Sequence, residues 1–195
     1  TDMNQPLGPA LGTACEVREA LAVLSGGGDD LLREVTLQLC RQAMVLRGWE
    51  AEEAGAALAG ALADGSALAA WERITAAHGG DPDPGILAQP RASIEVPATE
   101  SGYVTNCDAE DLGRVAAEAG AGRRRVDESL AHGAGVLVHA RIGDRVELGR
   151  PVATLLLGER EVDQERLTES IREAFKIGPD RVSPPELILG TAEEV

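Results

Sequence analysis

The residues of this chain that could do chemistry fall in a few places, and most carry a plainer reading beside the reactive one. Gly26-Gly27-Gly28 ahead of a helix has the look of a phosphate loop. Asp29 and Asp30 follow at once, however, and two carboxylates at a helix N-terminus occupy the place of a phosphate. No Gly-Lys-Ser/Thr follows either, so the run reads as a helix stop and cap. Arg123-Arg124-Arg125 is the one dense positive cluster. It could meet an anion, but in so acidic a chain it is expected to pair with the chain's own carboxylates. His132 and His139 bracket Gly133–Val138 with no Ser, Cys or carboxylate placed for a triad, and read as surface or supporting histidines. Cys15, Cys40 and Cys107 are odd in number and widely spaced. Without a Cys-x-x-Cys pair or nearby histidines they suggest buried free thiols, not a zinc site or a disulfide framework.

Composition narrows the function classes. The chain has 195 residues and a net charge of −15, and 2% of its residues are aromatic. Such a surface repels phosphate backbones and anionic lipid and offers few stacking platforms, so neither nucleic acid nor membrane is expected as a partner. The apolar runs are too short to span a bilayer. No signal peptide is visible, and a cytoplasmic location is expected. Lys176 is the only lysine against seventeen arginines.

The elements that must position these residues change character midway. Val17, Ala20, Leu21 and Leu24 make one helical face. Leu32, Val35, Leu39, Ala43 and Leu46 make a second, on a helix running to about Arg47. Further helices are expected over about 50–63 and 66–78. Asp81-Pro82-Asp83-Pro84-Gly85 and Pro90 then mark a linker at 81–92. Beyond it the period shifts to strands at 93–96, 102–105, 136–138, 144–146 and 152–157, with helices at about 109–119 and 163–176. The last apolar run is Leu187-Ile188-Leu189, and the final five residues are expected to be loose. The fold class is α+β, with segments 1–80 (helical), 81–92 (linker) and 93–195 (β-rich with flanking helices).

Gly143-Asp144-x-Val146-x-x-Gly149-x-Pro151 resembles the turn-and-strand rhythm of barrel-sandwich modules, whose best-known members carry biotin or lipoate on a lysine at a hairpin tip. Lys176 lies outside that pattern, in the expected last helix. A structural use of the module remains and a carrier role does not.

Thr1-Asp2-Met3-Asn4-Gln5-Pro6-Leu7-Gly8, followed by Glu16-Val17-Arg18-Glu19-Ala20, resembles an internal signature of the pyrimidine-nucleoside phosphorylases, the family of thymidine phosphorylase. Asp64-Gly65-Ser66-Ala67-Leu68 and Gly120-Ala121-Gly122-Arg123 agree in order. The resemblance implies a C-terminal portion: 1–80 as the helical segment of the family's α/β domain, then a barrel-sandwich-like C-terminal domain. It implies a pentosyltransferase in nucleoside salvage, with phosphate as co-substrate, acting as a homodimer on pyrimidine (deoxy)nucleosides. The family's phosphate- and base-binding residues precede the signature, so no catalytic residue is assigned and the isolated chain is expected to be inactive. Thymidine and uridine preference are not distinguished. The resemblance also implies part of a potassium site, with the carbonyls of Leu7 and Ala10 and the carboxylate of Glu19 as ligands. Glu19 reads equally as a solvated helix carboxylate. The alternative for the whole chain is a stand-alone, non-catalytic interaction or regulatory module derived from the enzyme.

Overall fold

In a computed structural model that describes residues 1–123 and 125–190, the first helix, α1, spans Thr13–Leu24. Gly26 and Gly28, both at positive φ, end it. Asp29 then caps α2 (Asp30–Leu46), its side chain accepting from the Leu32 amide at 3.0 Å. The glycine run is therefore the stop-and-cap that its aspartates suggested. α3 (Ala51–Ala63) and α4 (Ser66–Ala77) follow, with a short 3-10 turn at Pro84–Ile86. The chain divides into two compact units, Val17–Leu87 and Thr1–Glu16 with Ala88–Val195. The second boundary falls inside the expected 81–92 linker. The first lies within α1.

In the helical unit the stripe on α2 is only partly covered. Val35 is buried, while Leu39 and Leu46 are exposed, as are Trp49 and Ile74. Within this unit the Arg18 guanidinium donates to the Leu87 carbonyl at 2.8 Å, tying the start of the unit to its end.

The other unit is built on two open antiparallel sheets, and no closed barrel forms among the described residues. One has the order β1 (Ala10–Gly12), β4 (Gly135–Val138), β6 (Pro151–Leu157), β2 (Ala92–Pro97). The other has β5 (Arg145–Val146), β3 (Gly102–Cys107), β7 (Phe175–Gly178). β6 is interior to its sheet, and Val152–Leu157 are all buried. That accounts for its unbroken apolar run, since both faces are covered. α5 (Ala109–Ala116) and α6 (Gln164–Ala174) pack against each other and against this sheet. Leu112, Leu155, Leu167 and Ile171 are fully buried between them, and each contributes roughly 1.5–3 kcal/mol before entropy is subtracted.

Two elements differ from the sequence reading. The helix expected to reach 176 stops at Ala174, and Phe175–Gly178 pair with β3. Lys176 therefore sits in a strand. The segment 1–16, grouped by sequence with the helical half, contributes the edge strand β1 to the sheet of the β-rich half.

Of the thiols, Cys15 and Cys107 are buried and Cys40 is exposed, and no disulfide joins them among the described residues. Burial pushes the Cys107 thiol from an ordinary 9.0 to about 12, the positive charge of Arg141 pulling weakly the other way. Because the folded state holds this proton more tightly, the associated stability is complete below pH 9 and is lost as the pH rises toward 12. Melting temperature is expected to fall over that window, and the Cys107→Ala variant to show a shallower fall. Iodoacetamide is expected to label Cys40 in the native protein and Cys107 only after unfolding.

Gly12 gives a second test. Its φ is +147°, and a Cβ there would lie 2.6 Å from the Ala134 carbonyl oxygen and 2.9 Å from Cys15 Sγ. Gly12→Ala is expected to lower stability in urea denaturation by about 1–3 kcal/mol or more, from backbone strain plus this clash.

Candidate functional site

Over residues 4–9, the segment that carries the family signature meets the rest of the β-rich unit through acceptors. Pro6 and Pro9 lack N–H groups, and the residues before them, Gln5 and Gly8, are biased toward extended backbone. An extended stretch with few donors offers its carbonyls sideways, and the β-rich unit meets them with donors. The Pro9 carbonyl accepts from the Val138 amide at 2.7 Å. The Leu7 carbonyl accepts from Arg141 Nη2 at 2.6 Å. Gln5 Oε1 accepts from the Ile142 amide at 3.0 Å, and the Asn4 carbonyl from the Ala109 amide at 3.1 Å. Asp2 is buried; its carboxylate takes the Asn4 amide and side chain, and its own amide donates to Leu187.

The far end of the segment is fixed in the same way. Ala10, Leu11 and Gly12 stand opposite Leu137, Val136 and Gly135. The Gly12 amide donates to Glu16 Oε1 at 2.7 Å, closing the first turn of α1. The Thr13 hydroxyl donates to the His132 carbonyl at 3.0 Å and lies 3.3 Å from His132 Nδ1; the Ala14 amide donates to the same carbonyl. His132 is thus a structural partner of Thr13. His139 Nε2 lies 2.7 Å from the hydroxyl of the buried Thr154, and His78 Nδ1 meets the Ile74 carbonyl.

The receiving turn is the Gly-Asp motif of the barrel-sandwich-like rhythm. Asp144 Oδ2 accepts from the Arg141 amide at 2.8 Å, and the Asp144 amide donates to the Arg141 carbonyl. Gly143, at φ +94°, donates to the Val104 carbonyl. A Cβ there would lie 3.0 Å from the Val182 carbonyl oxygen, so the tight turn is closed to larger residues.

The expected cation ligands meet different fates. The Leu7 carbonyl oxygen already faces a guanidinium. A free cation on that oxygen would sit on the order of 4 Å from the guanidinium charge, where like charges repel by about 4 kcal/mol at the effective dielectric of a protein surface. Ala10 lies in β1 and is hydrogen-bonded. Glu19 is half-buried on α1 within the helical unit and also has a partner. No group of three or more His, Cys, Asp or Glu that could hold a metal occurs among the described residues.

The arginine cluster behaves partly as its composition suggested. Arg125 pairs with Asp127 at 3.1 Å, Arg123 is exposed, and residue 124 lies outside the described residues. The cluster's loop leaves a π-helical turn at Ala117–Ala121. The Arg160 guanidinium donates to the carbonyls of Ala117, Gly122 and Ser129 and pairs with Glu128 at 3.2 Å. Two concavities in the β-rich unit, about 450 Å³ beside Arg91 and Arg160 and about 420 Å³ beside His139, Arg145 and Arg150, are open and carry carboxylates as well as cations. Neither gathers a nucleophile, a base and an anion cradle.

Sequence reasoning missed the contacts of Gln5, Leu7 and Thr13, because each partner lies more than a hundred residues away. The one local signal was the pair of prolines, which leaves carbonyls in want of donors.

Comparison with known proteins agrees with the signature. Residues 103–178 match the pyrimidine nucleoside phosphorylase C-terminal domain. The chain is 36% identical over 196 residues to pyrimidine-nucleoside phosphorylase of Geobacillus stearothermophilus, covering 96% of this chain and 44% of that protein. It is 36% identical over 170 residues to that of Bacillus subtilis (strain 168), covering 84% of this chain and 39% of that protein. The same identity and shares, 36%, 96% and 44%, hold for that of Staphylococcus aureus (strain N315). The chain therefore spans less than half the length of the curated relatives it matches, and no helix among the described residues is long and apolar enough to cross a membrane. With residues 1–16 of the signature, the Gly-Asp turn and the matched domain in one compact unit, the chain belongs to the pyrimidine-nucleoside phosphorylase family, as the C-terminal part of such a protein.

Proposed function

We propose that this chain serves as the C-terminal part of an enzyme that carries out phosphorolysis of pyrimidine nucleosides. A phosphate oxygen attacks the anomeric carbon, the glycosidic bond to the base breaks, and its electron pair leaves with the pyrimidine, which takes up a proton. The products are the free base and a pentose 1-phosphate. The observation that carries this reading is the 36% identity sustained over 96% of the chain to a pyrimidine-nucleoside phosphorylase.

The chain's own role is positioning. Charge developing on the base and the incoming phosphate both call for preorganised cations and donors. Here the single lysine lies in β7, and Arg160 is committed to loop carbonyls and Glu128. The chain is thus suited to hold a rigid β-rich unit and its signature segment against the part that binds substrate, and is inactive alone.

Purified 195-residue chain, incubated with thymidine or uridine and phosphate, is expected to release no base above background. A chimera in which this chain replaces the matching portion of the Geobacillus stearothermophilus relative is expected to restore phosphate-dependent base release. A folded but inactive chimera would count against the reading, and turnover by the chain alone would overturn the assignment of its role.

A further inference from the structure

We propose that Arg141 is a built-in cation for the signature segment: its guanidinium holds the Leu7 carbonyl in place of a free monovalent ion. The contact is 2.6 Å from Arg141 Nη2 to the Leu7 oxygen, between groups separated by 134 positions in sequence. An arginine stays protonated across the accessible pH range, so the charge is permanent. Its placement is fixed from below. The Arg141 amide is held by Asp144 Oδ2 and its carbonyl by the Asp144 amide, in a turn that Gly143 closes against Val104 and Val182. The next residue, Ile142, takes Gln5 Oε1, so two successive residues of one turn grip residues 5 and 7 of the segment. Two titratable groups close to Arg141 leave its charge in place. Asp144 accepts from the backbone of Arg141, and the buried Cys107 thiol keeps its proton.

The consequence is a loss of cation dependence in the fastening of residues 1–16. This goes beyond the phosphorolysis reading and stands apart from it, because it concerns how the segment is held in the chain itself. The decisive experiment is thermal melting of the 195-residue chain in potassium chloride and in tetramethylammonium chloride at equal ionic strength, for the native sequence and for Arg141→Gln. The native chain is expected to melt at the same temperature in both salts. Arg141→Gln is expected to melt about 2–8 °C lower in both, and Arg141→Lys, which keeps a charge but not the planar fork, to recover part of the loss. A saturable, potassium-specific rise in the native chain would overturn the proposal. So would an Arg141→Gln protein that melts like the native one. Should Arg141→Gln fail to fold, Arg141→Lys takes its place: melting below the native chain in both salts supports the proposal, and melting like the native chain overturns it.

Discussion

A three-residue edge strand, Ala10–Gly12, and the extended stretch before it hold the two ends of this sequence together. β1 lies along β4, and Asn4, Gln5, Leu7 and Pro9 are gripped by amides and a guanidinium from Ala109, Ile142, Arg141 and Val138. The geometry of α1's first turn, the closed approach at Gly12, and the Thr13–His132 contacts all follow from that pairing. Without it, the sheet would end at β4 and the carbonyls of a proline-bearing segment would be left to water. The pairing also makes the β-rich unit discontinuous, with its first strand and its remainder separated by the whole helical unit.

The Gly-Asp turn gains meaning from the same contacts. In carriers of the barrel-sandwich type a lysine at a hairpin tip receives a prosthetic group. In this chain the rhythm is kept and the chemistry is not. Gly143 permits the tight turn, Asp144 fixes the Arg141 backbone, and Arg141 and Ile142 face the signature segment. The turn of a module best known from cofactor carriers is here a receptor for Gln5 and Leu7.

Much of the fold was legible in the sequence because much of it is local. The periodicity of Val17 to Leu24, the Asp29 cap, the break between the helices at 50–63 and 66–78, and the unbroken run of β6 are set by nearest neighbours and burial. β1 was not legible: three residues between glycines and prolines show no alternation, and their partner strand lies far along the chain. Phe175 and Lys176 continue the amphipathic pattern of α6, so their strand state appears only when β3 supplies hydrogen bonds from Tyr103 to Cys107. The site was legible as a family signature, but what its residues touch was not. The guanidinium at Leu7 depends on a contact that no spacing rule connects.

The account rests on residues 1–16 being docked along β4 and the Gly-Asp turn, and amide hydrogen exchange at single-residue resolution tests this most directly. The His139 amide, which donates to Val152 of β6, serves as the internal reference. If the segment is docked, the Val138 and Ile142 amides, which donate to Pro9 and Gln5, exchange as slowly as His139. Rapid exchange at Val138 and Ile142 beside a protected His139 would show an intact sheet with an undocked segment, and would contradict the account.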